Sequence, residues 1–148
     1  VGFKRDNSNQ YDFGWVAVRY LRLVSGGTSS SYSNRYGADF NLNIDSSDLD
    51  CNERSDGGYD DCEVSVNISL TSNYNGFDEP TVEISCDAEV KAYRQSGYSR
   101  SESGSERISI RGRKGSENID IDIDVRSSSD PTVRVKLDDV SCEIDNAY

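Results

Sequence analysis

Residues 119–125 of the chain read Ile-Asp-Ile-Asp-Ile-Asp-Val, a strict alternation of β-branched residues and carboxylates. Because successive side chains of a strand point to opposite faces, the pattern puts the isoleucines on one face and the aspartates on the other. Shorter alternating runs lie on either side, at residues 107–111 and 132–137. The three runs predict strands of an antiparallel sheet with one buried and one solvated face.

The charges of these runs favour a particular register. Folding the runs as two successive hairpins sets basic side chains opposite the aspartates. The expected pairs are Arg107 with Asp122, Arg134 with Asp124, and Lys136 with Asp122. We therefore interpret the aspartates as a structural charge ladder with basic neighbours rather than as a catalytic carboxylate set, since a neutralised, exposed carboxylate has no reason for a raised pKa.

The last run changes parity once. Its apolar residues are odd-numbered up to Leu137 and even-numbered from Val140 onwards. One extra residue at Asp138 or Asp139 would restore the alternation, which is what a β-bulge does.

Upstream patterns complete the expected fold. Alternating or apolar runs predict strands at residues 15–24, 38–44, 62–70 and 82–92, an acidic loop at 45–61, and a mobile serine-rich loop at 94–106. The prediction is an all-β protein: an antiparallel β-sandwich of about seven strands, immunoglobulin-like in strand count. Residues 15–148 would form this single domain, and residues 1–14 a polar N-terminal segment.

Four cysteines in the chain favour two disulfides. Four cysteines allow three pairings. We favour Cys86 with Cys142, because both fall on the apolar faces of their strands, and Cys51 with Cys62 across the acidic stretch. The even cysteine number and the absence of methionine, including at residue 1, lead us to expect a secreted protein, extracellular or at the cell surface, whose leader has been removed.

Composition narrows the function classes. A formal net charge of −11 disfavours contact with phosphate backbones, so nucleic acid is not an expected partner. No apolar run reaches the roughly 18 residues of a membrane-spanning helix. The chain has no histidine, which rules out histidine-based triads, and no other catalytic set stands out. We expect a protein that is not an enzyme.

An acidic cluster between residues 45 and 61 is the candidate cation site. Calcium takes six to eight oxygen ligands, which clustered carboxylates supply. The helix–loop–helix calcium pattern fails here, because Glu53 stands where glycine is needed and Tyr59 where glutamate is needed. A solvated loop pinned by its disulfide is the simpler interpretation, and calcium is the alternative. The candidate ligands are Asp45, Asp48, Asp50, Asp56, Asp60 and Asp61.

The N-terminal part is the candidate interface. The strand expected at residues 15–24 carries large apolar residues on both faces, which suits a strand covered on both sides. Our hypothesis is a structural subunit that forms a homo-oligomer or filament, with residues 1–14 and this strand contacting a neighbour. The residues expected at the interface are Phe3, Tyr11, Phe13, Trp15, Val16, Val18 and Tyr20.

A second hypothesis is a secreted module that binds carbohydrate or a cell surface, assisted by calcium. Aromatic rings in loops can stack on sugars or anchor protein contacts. Five tyrosines fall in expected loops, at Tyr32, Tyr36, Tyr59, Tyr74 and Tyr98. Ordinary half-exposed tyrosines of a β protein would give the same pattern.

Overall fold

The computed structural model describes the backbone of residues 22–23 and all of residues 30–34 and 37–148. These residues form eight antiparallel strands: β1 Arg22–Leu23, β2 Ser30–Ser33, β3 Asp39–Glu53, β4 Tyr59–Ser72, β5 Thr81–Arg94, β6 Ser99–Arg111, β7 Gly115–Asp124 and β8 Thr132–Ala147. The predicted all-β class is confirmed. In this part of the chain no helix is long and apolar enough to cross a membrane.

The strands form two layers. In one layer β4 lies between β3 and β7, and β1 and β2 pair with the outer edge of β3. In the other, β5 lies between β6 and β8. A single bridge from Tyr59 to Thr132 joins the layers into one hydrogen-bonded sheet. Contacts of β3 with β8 and of β6 with β7 close the predicted sandwich.

The core lies between the central strands. From Cys62 to Leu70 in β4 and from Val82 to Arg94 in β5 every second residue is buried, and all of these side chains except Arg94 are apolar. The three isoleucines of β7, at positions 119, 121 and 123, are at most 2% exposed. The strand faces were therefore predicted correctly from the alternation.

The predicted hairpin register is wrong. β6 and β7 are adjacent in sequence but lie in different layers, since β6 pairs with β5 and β7 pairs with β4. β8 likewise pairs with β5 rather than with β7. The proposed pairs of Arg107 and Lys136 with Asp122, and of Arg134 with Asp124, do not exist. The opposite charges of β6, β7 and β8 are consistent with hairpins between strands that are neighbours in sequence. Burial of the apolar faces instead pairs β7 with β4 and β8 with β5, which lie far apart in sequence.

The predicted bulge in β8 is confirmed. Glu89 pairs with Asp139 while Val90 pairs with Leu137, so Asp138 is the extra residue. Two further register shifts occur along β8, at each end of its pairing with β5. The shift near the start of the strand leaves Val133 42% exposed, although its parity predicted a core position.

The serine-rich stretch at residues 94–106 is not a mobile loop. A tight turn with Gly97 at φ 96° connects β5 to β6, and β6 begins at Ser99. β6 then pairs with β5 over thirteen residues without a register shift. The even-numbered positions of its first half, Arg100, Glu102 and Gly104, carry no apolar side chain, which is why this half shows no apolar alternation.

Both predicted disulfides are confirmed. Cys51 bonds to Cys62, and Cys86 to Cys142. Each pair lies directly opposite on neighbouring strands, β3 with β4 and β5 with β8, so each disulfide crosslinks one layer rather than bridging the two.

Arg94 connects the layers at the end where β5 stops. Its side chain is only 6% exposed, and Nη1 donates to the Val125 carbonyl at 2.9 Å and to the Thr132 hydroxyl. The Thr132 hydroxyl in turn donates to the same carbonyl at 2.5 Å. A buried cation held by neutral oxygens fixes the start of β8 against the end of β7.

Candidate interaction surfaces

The predicted calcium ligands lie on a β-hairpin rather than in a loop. β3 and β4 continue to Glu53 and from Tyr59, which leaves only residues 54–58 as the turn. Gly57, at φ 85°, donates its N–H to the Arg54 carbonyl at 3.0 Å, and Arg54 donates its own N–H to Gly58 at 2.7 Å. The extended strands spread most of the carboxylates along the sheet instead of around one point.

Arg54 neutralises two of the six candidate ligands. Its Nη2 lies 3.0 Å from Asp56, and its Nη1 lies 2.6 Å from Asp60. The hydrogen bond from Arg54 lowers the pKa of the Asp56 carboxyl, helped by a bond from the Gly58 N–H, and the same pairing raises the pKa of the guanidinium. Asp56 and Asp60 are thus paired with the guanidinium group of Arg54.

The other candidate ligands lie apart from one another. Asp45 stands at the register shift in β3 and accepts a bond from Ser69 at 3.1 Å, and Asp61 accepts one from Asn52 at 2.6 Å. Asp48 and Asp50 follow along β3, opposite Ser65 and Glu63. Within residues 30–34 and 37–148 no group of three or more carboxylate, histidine or cysteine side chains is arranged to hold a metal ion. Calcium binding stays a prediction.

The aspartate ladder of β7 lies opposite acidic and polar residues of β4, although Arg126 Nε lies 3.9 Å from Asp124. Asp124 lies opposite Asp61, Asp122 opposite Glu63, and Asp120 opposite Ser65. On the other side of β4, Glu63 also lies opposite Asp50 of β3. The outer face of this layer therefore carries a continuous acidic surface, defined here by Asp50, Asp61, Glu63, Asp120, Asp122 and Asp124.

Glu63 lies between neighbouring carboxylates of this acidic surface, and its pKa is raised. Partial desolvation, and then the charges of Asp120, Asp122 and Asp50, raise the pKa of its carboxyl above the ordinary value. A raised folded-state pKa means that ionisation of Glu63 opposes folding. This unfavourable contribution is present above the folded pKa and is relieved as the pH falls through it towards the unfolded value.

Glu63→Gln is therefore expected to stabilise the protein at pH 7. Removing one member of two like-charge pairs should raise the free energy of unfolding by about 0.5 kcal/mol. The gain should shrink as the pH falls to the ordinary glutamate pKa of 4.5, and also in high salt, which screens exposed charges. Urea unfolding of both proteins between pH 3 and pH 8 measures this. Glu117→Gln is the control, because Glu117 lies opposite Ile68. An equal gain for both variants would contradict the account.

β6 presents a long backbone edge on its side away from β5. Thr81 and Tyr148 exchange N–H···O bonds of 2.6 and 2.9 Å, so odd-numbered residues of β5 direct their backbone groups towards β8. The backbone groups of even-numbered β5 residues therefore point towards β6. These residues pair with even-numbered residues of β6, as Cys86 does with Glu106. The bond from the Arg94 N–H to the Tyr98 carbonyl, 2.7 Å, agrees. Odd-numbered residues of β6 therefore point their N–H and C=O groups outwards.

A side chain covers one of these outward donors. The Arg107 N–H bonds to the Glu106 carboxylate at 3.1 Å, and no backbone group of the described residues pairs with it. The outward residues are polar, and all except Ser99 are exposed: Ser99, Ser101, Ser103, Ser105, Arg107, Ser109 and Arg111. We call this set the β6 edge. Sequence reasoning missed it because the stretch lacks apolar alternation; its signal was the strict placement of serine at odd positions.

A shallow polar groove lies on the outer face of the β5 layer. Arg107 Nε contacts Asp145 at 3.1 Å and Ser85 at 3.2 Å, and Ser85 also donates to Asp145. Asp87 and Glu143 line the same groove. Arg107 is paired with a carboxylate here, so the groove offers no free cation for an anionic ligand.

The four predicted loop tyrosines that the structure describes do not form a common platform. Tyr59 is buried in the core, Tyr74 packs against Phe40 with ring centroids 6.4 Å apart, and the Tyr32 hydroxyl donates to Asn146 at 3.2 Å. Tyr98 is exposed. Tyr36 lies outside the described residues, as do all seven predicted interface residues from Phe3 to Tyr20. Their roles stay predictions.

Comparisons of the chain with protein-family models, curated proteins and solved structures give no match.

Proposed function

We propose that this chain is a secreted, non-enzymatic structural subunit that self-assembles into an extracellular filament or surface matrix. The observation that supports this most is the β6 edge. Natural β proteins usually protect an edge with bulges, proline or a short strand, because unpaired backbone groups template pairing with another chain. β6 has thirteen regular pairs with β5, no register shift and no proline.

The N-terminal segment and first strand are proposed as a second contact. Arg22 and Leu23 pair with Asp48 and Ser47 on the outer edge of β3. This strand, β1, therefore lies at an edge of the sheet. An edge position suits the addition of strands between subunits. Two contacts on different sides of one subunit are what growth beyond a dimer requires.

The remaining features fit an extracellular setting. Two disulfides and no free cysteine among the described residues suit an oxidising environment. The net charge of −11 makes copies repel one another at low salt, so assembly should be favoured by salt that screens this repulsion.

The test is the assembly state of the full chain at high concentration, by light scattering and negative-stain microscopy, in low and physiological salt. We expect species larger than a dimer, more abundant in salt. The double variant Phe3→Ser with Phe13→Ser should reduce them to dimers or monomers, while the matched control Phe77→Ser with Tyr148→Ser, at exposed positions outside β6, should not. A chain that stays monomeric throughout would refute the proposal.

A further inference from the structure

We propose that β6 is an interface between two copies of this chain, which pair their β6 strands antiparallel about a twofold axis through Ser103. The inference deepens the proposed self-assembly and rests on it: it names the partner and the register of one contact. The two β5 layers would then join edge to edge into one continuous sheet.

The β6 edge suits this role better than the edges of the other strands. The outer edge of β3 already pairs with β1 and β2. β8 is interrupted by three register shifts, each of which bends the strand and spoils an even row of donors and acceptors. β7 lies against β6, as the close approach of Gly104 to the Asp122 carbonyl shows. Among the described strands β6 is the one that combines thirteen regular pairs with exposed outward groups.

Backbone geometry supports a twofold axis at Ser103. Ser103 is odd-numbered, so its N–H and C=O point outwards and can bond to the same groups of the partner's Ser103. In this register Ser101 lies opposite the partner's Ser105, and Ser99 opposite the partner's Arg107. Every facing pair of this kind consists of two outward residues, which can exchange two N–H···O bonds.

The charges select this register. Arg100, whose Nε lies 2.9 Å from Glu102 in its own strand, comes to lie opposite the partner's Glu106 as well, and the symmetry repeats the pair. In the single chain Glu106 covers the Arg107 N–H at 3.1 Å. In the pair, the partner's Ser99 carbonyl takes that donor, and the Glu106 carboxylate is released to meet the partner's Arg100. The Glu106 carboxylate thus accepts a backbone N–H in the single chain and forms a cross-strand ion pair in the dimer.

Neighbouring registers lack this match. An axis at Gly104 sets Glu102 opposite the partner's Glu106, a like-charge pair that destabilises a sheet. An axis at Ser105 sets Arg100 opposite the partner's Ile110, which is 5% exposed and belongs to the core of its own subunit. That register overlaps more residues but forms no opposite-charge pair.

Cysteine crosslinking of the full-length chain tests both contact and register. Residues opposite each other in a hydrogen-bonded pair have Cα atoms about 5.5 Å apart, which a disulfide can span. Ser103→Cys should therefore form a covalent dimer under mild oxidation, and peptide mapping should find the 103–103 linkage with both native disulfides intact. Ser109→Cys is the matched control, exposed on the same edge, because its two copies would lie roughly 40 Å apart.

We expect Ser103→Cys to crosslink at least about tenfold faster than Ser109→Cys, as expected for thiols held together by binding. Equal rates for the two variants, or no crosslink, would overturn the inference. Faster crosslinking of Ser105→Cys would overturn the register, since that result requires an axis at Ser105.

Charge reversal gives an independent measure that needs no added thiol. Arg100→Glu should weaken dimerisation about tenfold in sedimentation equilibrium, because two opposite-charge pairs become like-charge pairs. Glu106→Arg should do the same, and the double variant should restore the wild-type affinity. Two single variants with unchanged affinity would also overturn the inference.

The outcomes separate this inference from the proposed function. Filaments without the 103–103 crosslink would refute the β6 interface and leave self-assembly standing. A crosslinked dimer that forms no larger species in any salt would support the interface and refute the filament.

Discussion

Removing the Cys86–Cys142 disulfide is expected to lower the free energy of unfolding by about 4 kcal/mol. The bond closes a loop between residues separated by 56 positions, so it strongly restricts the unfolded chain. Both sulfur-bearing side chains are buried, at 0% and 4% exposure, in the middle of the β5–β8 pairing. The variant Cys86→Ala with Cys142→Ala, followed by urea unfolding, measures the loss.

The second disulfide is the matched comparison. Cys51 and Cys62 are separated by only 11 positions, which predicts a smaller loss of about 3 kcal/mol. They also close a hairpin whose short turn already has its own backbone hydrogen bonds. We expect the Cys51→Ala with Cys62→Ala protein to unfold at a higher urea concentration than the other variant. The opposite order would show that loop length does not govern the stability of this fold.

Gly104→Val is expected to destabilise the protein by about 3 kcal/mol, at the upper end for overpacking. A Cβ at this position would lie 2.5 Å from the backbone oxygen of Asp122, and 3.0 and 3.1 Å from methyl and methylene carbons of Ile121 and Ile123. The nearest atom belongs to the backbone, so it cannot turn aside as a flexible side chain would. β6 would have to move away from β7 and open that side of the sandwich.

Ser103→Val is the control for Gly104→Val. Ser103 is the preceding residue of the same strand, but its side chain is exposed on the outer face, so the change should stay within about 0.5 kcal/mol. Thermal unfolding of both variants gives the comparison. Equal destabilisation by the two valines would mean that strand composition matters here rather than the close approach at Gly104.

The fold was largely predictable from the sequence because strands with one buried face show an alternation of apolar and polar residues. The alternation in β4, β5 and β7 identified which side chains face the core, and the parity change in β8 located the bulge at Asp138. The Cys86–Cys142 pair followed from the same faces, and Cys51–Cys62 was the pair that remained. Each of these inferences needs only the side-chain period of a strand, which a single chain displays directly.

Strand pairing was not predictable in the same way. The charges of β6, β7 and β8 allow a consistent set of hairpins, and nothing local reveals that β7 pairs with β4 instead. The acidic surface results from this distant pairing, since Asp122 and Glu63 meet only in the folded protein. The strand at residues 107–111 was predicted, but the first half of β6 was missed because its inward positions include Gly104 and Glu106, which carry no apolar signal.

The order of the strands also determines when the protein can fold. Val82 at the start of β5 pairs with Ala147 at the end of β8, so the second layer is incomplete until the last strand has been synthesised. Hairpins such as β3–β4 can form early. Pairing β5 with β8 first requires closing a long loop, and the entropy lost in closing it is offset only once the contacts between the two strands have formed. Folding should therefore be slow for the size of the domain, and the second layer should not be complete before β8 has been synthesised. Until then the apolar faces of β4 and β5 stay exposed, which favours association between unfinished chains.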